Sequence, residues 1–204
     1  MRAGMARVAA ALIALIAWAG LAIQFNATHS AGHSVAETLW ILLRFFTVLT
    51  NFILAVAMTA VALGKRLAPS LIAGITLAIV LVGIVYMTLL RGLIDLSGGA
   101  LLADALLHKV TPSLVPLWWL AFAPKGQLRW RDPLLWALYP LAYFPYALAR
   151  GSAEAKYAYP FIDVSALGWT AVAINAVMIA AGFVLAGMLI VALDRQLGRG
   201  RLDG

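Results

Sequence analysis

Six long apolar runs follow one another along the chain, near residues 8–25, 37–63, 70–91, 100–122, 133–150 and 165–193. A hydrocarbon core about 30 Å thick is crossed by about 20 helical residues, so each run predicts a membrane-spanning helix. The first, "VAAALIALIAWAGLAIQF" (8–25), follows Arg2 and Arg7 and exceeds the length of a signal-peptide core, so it reads as a helix that is retained. The connections are short. "GKRLAP" and "APKGQLRWRDP" carry the glycine and proline that turns need. No soluble domain fits between the runs and no internal repeat is visible, so the expectation is one all-α domain over 1–204: a bundle of six transmembrane helices. Ser34 and Glu37 form an S-x-x-E capping box at the start of the second run. Trp40 follows at the depth of an interfacial aromatic belt.

Composition strengthens the membrane reading. Of the 204 residues 64% are hydrophobic and 11% charged, against roughly half and roughly a quarter in soluble domains. There is no cysteine, which removes disulfide and thiol chemistry. The net charge of +7 raises nucleic acid as a partner, but the cations sort by loop. Arg2, Arg7, Lys65, Arg66, Lys125, Arg129, Arg131, Arg195, Arg199 and Arg201 fall on one side of a six-span topology, and Arg91, Arg150 and Lys156 on the other. The positive-inside rule then puts both termini in the cytoplasm, and the bilayer accounts for the charge in place of nucleic acid.

Polar residues inside the runs are the candidates for chemistry, because they are costly in lipid and face protein or water. Arg44, Thr47 and Asn51 are spaced by three and four and form one helical stripe; Asp104, His108 and Thr111 form another. At a rise of 1.5 Å per residue, Thr47 lies roughly 15 Å below the start of span two and His108 roughly 12 Å below that of span four. The two are expected to share a depth in the outer half of the membrane. Pro112 has no N–H for the carbonyl of His108, so the helix is expected to bend there and leave a backbone oxygen free.

A hydroxyl level with a histidine, backed by a carboxylate, has the logic of acyl transfer. Thr47 would be the nucleophile, His108 the general base and Asp104 the group that orients the imidazole. Arg44, Thr50 or Asn51 would donate to the oxyanion. Thr111, Tyr86, Tyr143 and Tyr146 are candidates to line the substrate cavity, although tyrosines at those positions also fit an interfacial belt. Arg44, Arg91 and Arg150 can attract a lipid carboxylate.

The stretches "RFFTVLTN", "DALLHKVTP" and "YAYPFIDV" resemble bacterial relatives of the androgen-induced and androgen-dependent membrane proteins, multi-pass hydrolases of fatty acid esters of hydroxy fatty acids. The resemblance covers about residues 40 to 165, and it includes Tyr159, Pro160, Phe161 and Asp163. It implies an intramembrane threonine at Thr47 and a histidine at His108, a lipid or fatty acid ester as substrate, no cofactor, and a bacterial plasma membrane as location. The animal proteins carry an asparagine four residues before the histidine, where this chain has Asp104.

Other readings stand beside this one. His29, His33 and Glu37 are spaced by four and, with His108, form a candidate metal site. Arg44, Asp104 and His108 equally suit a proton-linked site in a non-enzymatic carrier or binding protein for a lipid or small molecule. A structural scaffold is the third. The sequon "NAT" at 26–28 is a three-residue match and carries little.

Overall fold

A computed structural model describes residues 1–199 as helices joined by short turns. Arg201, one of the cations assigned above to the cytoplasmic side, lies outside the described residues. The chain forms two compact units, Met1–Pro124 and the residues from Lys125 on.

The first unit holds α1 (Arg2–His29), α2 (Val35–Leu42), α3 (Phe46–Ala62), α4 (Pro69–Val85), α5 (Gly98–Ala105) and α6 (Thr111–Phe122). A π turn, Tyr86–Leu90, extends α4, and a second, Leu106–Val110, joins α5 to α6. Helix α1 packs against α3, α5 and α6 through a stripe of mostly small buried residues, Ala10, Ile13, Ala14, Ala17 and Gly20. At Gly20 a Cβ would lie 2.7 Å from Leu107 Cδ2, so the missing side chain is what lets the π turn lie against α1. Two cations of the N-terminus hold helix ends: Arg7 Nε donates to Ala62 O at the close of α3, at 3.0 Å, and Arg2 Nη2 donates to Ala121 O in the last turn of α6, at 2.9 Å. Carbonyls at helix C-termini lack backbone donors, which is why cations settle there.

The capping box forms as its sequence predicts. Ser34 N donates to Glu37 Oε2 at 2.8 Å and Glu37 N to Ser34 Oγ at 3.3 Å. The helix it starts, however, stops at Leu42. Leu43 and Arg44 form a turn, Phe45 is extended, and α3 leaves at 98° to α2.

The six-span expectation is therefore corrected. Among the described residues three helices are long and apolar enough to cross a membrane, Arg2–His29, Pro69–Leu90 and Val164–Arg199, or four if the bent pair of α2 and α3 is one span. The apolar run 100–122 is cut by the Leu106–Val110 π turn and carries Asp104, His108 and Lys109. The run 133–150 is one helix, but its three tyrosines, three prolines and charged ends make it too polar. Counting apolar letters overlooked both effects. The ten-against-three division of cations assumed six crossings, so it no longer supports a cytoplasmic placement of both termini. What stands is an all-α integral membrane protein.

The second unit holds α7 (Asp132–Glu154), a 3₁₀ turn (Pro160–Ile162) and α8 (Val164–Arg199), which is kinked at Gly168, φ 75°. Its α8 shows Val177 67% and Leu189 71% exposed, an apolar surface suited to lipid. Asp163 opens α8: its carboxylate accepts from Ser165 Oγ and from Ala166 N, and these donors hold it below the usual carboxylate range. At the other end Asp194, fully buried, accepts from Leu128 N through Oδ2 at 2.9 Å. It thereby ties the 125–131 turn to the helix.

Gly83 on α4 faces Pro112, and a Cβ there would stand 2.7 Å from the Pro112 Cβ. The proline ring cannot swing aside as a flexible side chain would. Gly83→Ala is expected to cost about 1–3 kcal/mol through overpacking despite alanine's better helix propensity. The check is a lowered melting temperature in detergent, beside Gly182→Ala, whose site has nothing within 4 Å and should melt no lower than the parent protein.

Candidate functional site

Charge gathers on one carboxylate inside the first unit. Asp104, on α5, is 5% exposed. Its Oδ2 accepts from Tyr86 Oη at 2.6 Å and lies 3.3 Å from Lys109 Nζ, while its Oδ1 lies 3.1 Å from His108 Nδ1. The ring of Tyr86 stacks on that of His108, with centroids 4.4 Å apart and planes 21° from parallel. Lys109 Nζ stands 5.4 Å from the centre of the same tyrosine ring. A buried carboxylate loses much hydration energy, which only good donors restore. Here three side chains restore it.

Two backbone irregularities place those donors. Tyr86 begins a π turn in which Arg91 N donates to Tyr86 O at 2.8 Å, five residues back. His108 and Lys109 lie inside the other, which closes with Thr111 N donating to Leu106 O, again over five residues. Single π turns inside α-helices occur often at functional sites. The close fit of Gly83 against Pro112 draws α4 to α6 and brings the tyrosine to the carboxylate.

The widened turn leaves a carbonyl oxygen to satisfy. Thr111 N is committed to Leu106, and Pro112 has no N–H, so Leu107 O lacks a regular helical donor. Asn51 Nδ2 fills that place from α3 at 3.2 Å, and Thr111 Oγ1 joins it at 3.3 Å. Leu107 O, one residue before the carbonyl that the proline alone would free, loses its donor because the bonds here count five residues and not four. Asn51 is completed by Thr111, which donates to its Oδ1 at 2.8 Å, and by Thr47 O, which accepts from Nδ2 at 3.0 Å.

These partners correct the hydrolase reading. The contacts of His108 are with Asp104 and Tyr86, and none is with Thr47. Asn51, a candidate oxyanion donor, spends its amide on two backbone carbonyls. A Thr47 nucleophile with a His108 base therefore has no geometry to act through, and the features gathered at His108 are those of an ionic Asp/His/Lys site. The metal reading fares no better: among the described residues no three His, Cys, Asp or Glu side chains come together. His29 stacks on Phe25, and Glu37 serves the α2 cap.

The other sequence candidates are distributed between the units. Arg44 is buried at the break before α3, and Thr47 and Thr50 are buried on α3. Tyr143, Tyr146 and Tyr159 belong to the second unit, where Tyr146 Oη accepts from Arg150 Nη1 at 2.9 Å and Arg150 Nε donates to Glu154 at 2.7 Å. Tyr159 stacks on Phe161, with planes 3° apart. Arg91 is exposed at the end of the α4 π turn. Lys109 was missed as a site residue. Its signal was present: a cation inside an apolar run, five residues from an aspartate.

Because Asn51 and Thr111 serve one carbonyl and each other, Asn51→Leu and Thr111→Val should each destabilise the protein by about 1–3 kcal/mol, the cost of stranding buried polar groups. The double variant should lose less than the sum, a coupling read from melting temperatures in a double-mutant cycle. Strictly additive losses would mean that the two side chains act separately.

No protein-family model matches this chain, and no curated protein or solved structure matches it either. The resemblance to the androgen-induced and androgen-dependent membrane proteins is thus without support from any match, and the helix count and the contacts of His108 both speak against it.

Proposed function

We propose that this protein is a membrane-embedded binding protein or carrier for a lipid or small molecule, with occupancy linked to protonation at the Asp104–His108 pair. The observation that supports the reading is the buried Asp104 carboxylate shared among Tyr86, His108 and Lys109. Ionisable groups within membrane helices are costly and typically mark ligand or proton pathways. An aspartate facing Nδ1 favours the tautomer that carries its proton there, which leaves Nε2 as the base. A proton taken up at Nε2 gives an imidazolium already paired with a carboxylate. Arg44 is a further buried cation of this unit.

The proton linkage has a direct test. Purified protein is melted in nonionic detergent with a panel of lipids and amphiphilic metabolites, at about pH 5.5 and about pH 8, on either side of the ordinary imidazole value of about 6.5. At least one compound should raise the melting temperature, with an affinity that differs about tenfold between the two conditions, as coupling between linked sites typically does. His108→Gln should abolish the difference. A folded protein stabilised by no compound at either pH would sink the proposal, and so would turnover of a lipid ester that survives Asp104→Asn.

A further inference from the structure

The same cluster fixes the charge of the ligand, an inference that rests on the proton-linked reading above. Asp104 has little left to offer a cation: both carboxylate oxygens already accept, from Tyr86, His108 and Lys109, and the group is buried. The donors are in the opposite position. Lys109 has three N–H groups, one carboxylate contact and a side chain 41% exposed. The His108 side chain is 21% exposed, and its polar contacts run through Nδ1, so among the described residues Nε2 has no protein partner. Both donors lie beside the Tyr86 ring.

Charge then decides. Asp104 and Lys109 cancel, so the cluster is neutral while His108 is neutral and carries one positive charge once Nε2 is protonated. Among the described residues the elements packed against this turn supply no second anion: α1 presents Gly20 to Leu106 and Leu107, α3 presents Asn51, and α4 with its π turn presents Gly83 and Tyr86. Arg44, which precedes Thr47 on the segment leading into α3, is itself a cation. An excess charge among apolar side chains is unfavourable until an opposite charge joins it. We infer that the site takes up a proton and a monoanionic group together, with His108 Nε2–H and Lys109 Nζ donating to oxygens of a carboxylate, sulfonate or singly ionised phosphate ester. The proton comes from solvent and stays on the imidazole while the anion is bound; no covalent bond is made or broken.

Decanesulfonate is the probe, because it stays ionised across the pH range and any pH dependence belongs to the protein. Decyltrimethylammonium and decanol supply the cationic and neutral counterparts, and methanesulfonate the headgroup without a chain. Binding is followed by thermal shift, and proton uptake by an indicator dye in weakly buffered solution. Decanesulfonate should bind about tenfold more tightly at about pH 5.5 than at about pH 8 and take up close to one proton per ligand near neutrality. Lys109→Gln should weaken it about tenfold while leaving the binding pH-dependent, and His108→Gln should abolish the uptake. Methanesulfonate binding with the same pH dependence supports a water-soluble anion as ligand; binding of the decyl compound alone supports a lipid. If the ammonium or the alcohol binds as tightly as the sulfonate, with pH linkage intact, the anion assignment is overturned and the proton-linked site stands. If no probe binds and the wider panel fails as well, both fall together.

Discussion

A single backbone oxygen, Leu107 O, sets the arrangement on which the rest of the first unit depends. In an apolar environment an unsatisfied carbonyl is among the more expensive features a helix can carry. The π turn and Pro112 together deprive this one of its regular donor, and the chain answers with Asn51 from another helix. Satisfying the oxygen therefore fastens α3 to the α5–α6 segment. Gly20 of α1 and Gly83 of α4 complete the enclosure by having no side chain where the turn and the proline need room. Backbone accounting and helix packing thus meet at one place, and the ionisable cluster is built on it.

That origin separates the structural polar residues from the chemical ones. Asn51, Thr111 and the Thr47 carbonyl are consumed in satisfying backbone and one another. Asp104, His108, Lys109 and Tyr86 have charge or a titratable proton and keep exposure on the donor side. A reading that placed Thr47 and His108 in one reaction drew one partner from each set. The two sets are joined through the turn that carries Leu107 and His108 on successive residues.

Much of this was legible in the sequence, and the rest had physical reasons to be hidden. The capping box at Ser34 and Glu37 is a local interaction over three residues, so its spacing suffices to predict it. The four-residue spacing of Asp104 and His108 likewise yields a real contact. The break at Leu43, Arg44 and Phe45 has no proline or glycine to announce it, so Arg44, Thr47 and Asn51 looked like one stripe when Arg44 precedes the helix that carries the other two. In the sequence Tyr86 reads as a cavity or belt residue, because its partner lies 18 positions away on another helix, a pairing that periodicity does not encode. Membrane crossings were overcounted for a related reason: apolar length says nothing of where a π turn interrupts a helix.

The π turn at 106–110 has a consequence for which changes the site can absorb. It is a place where a helix accommodates one more residue than regular winding would, and a residue on an α-helix corresponds to about 100° of rotation. Deleting one residue from 106–110 would restore regular winding and swing everything after it around the axis, carrying Thr111 and Pro112 off the faces they now occupy. A descendant of this protein could exchange Lys109 for arginine, or Tyr86 for histidine, and keep a version of the cluster. A change in the number of residues in 106–110 would dismantle it, so at this turn the count of residues matters more than their identity.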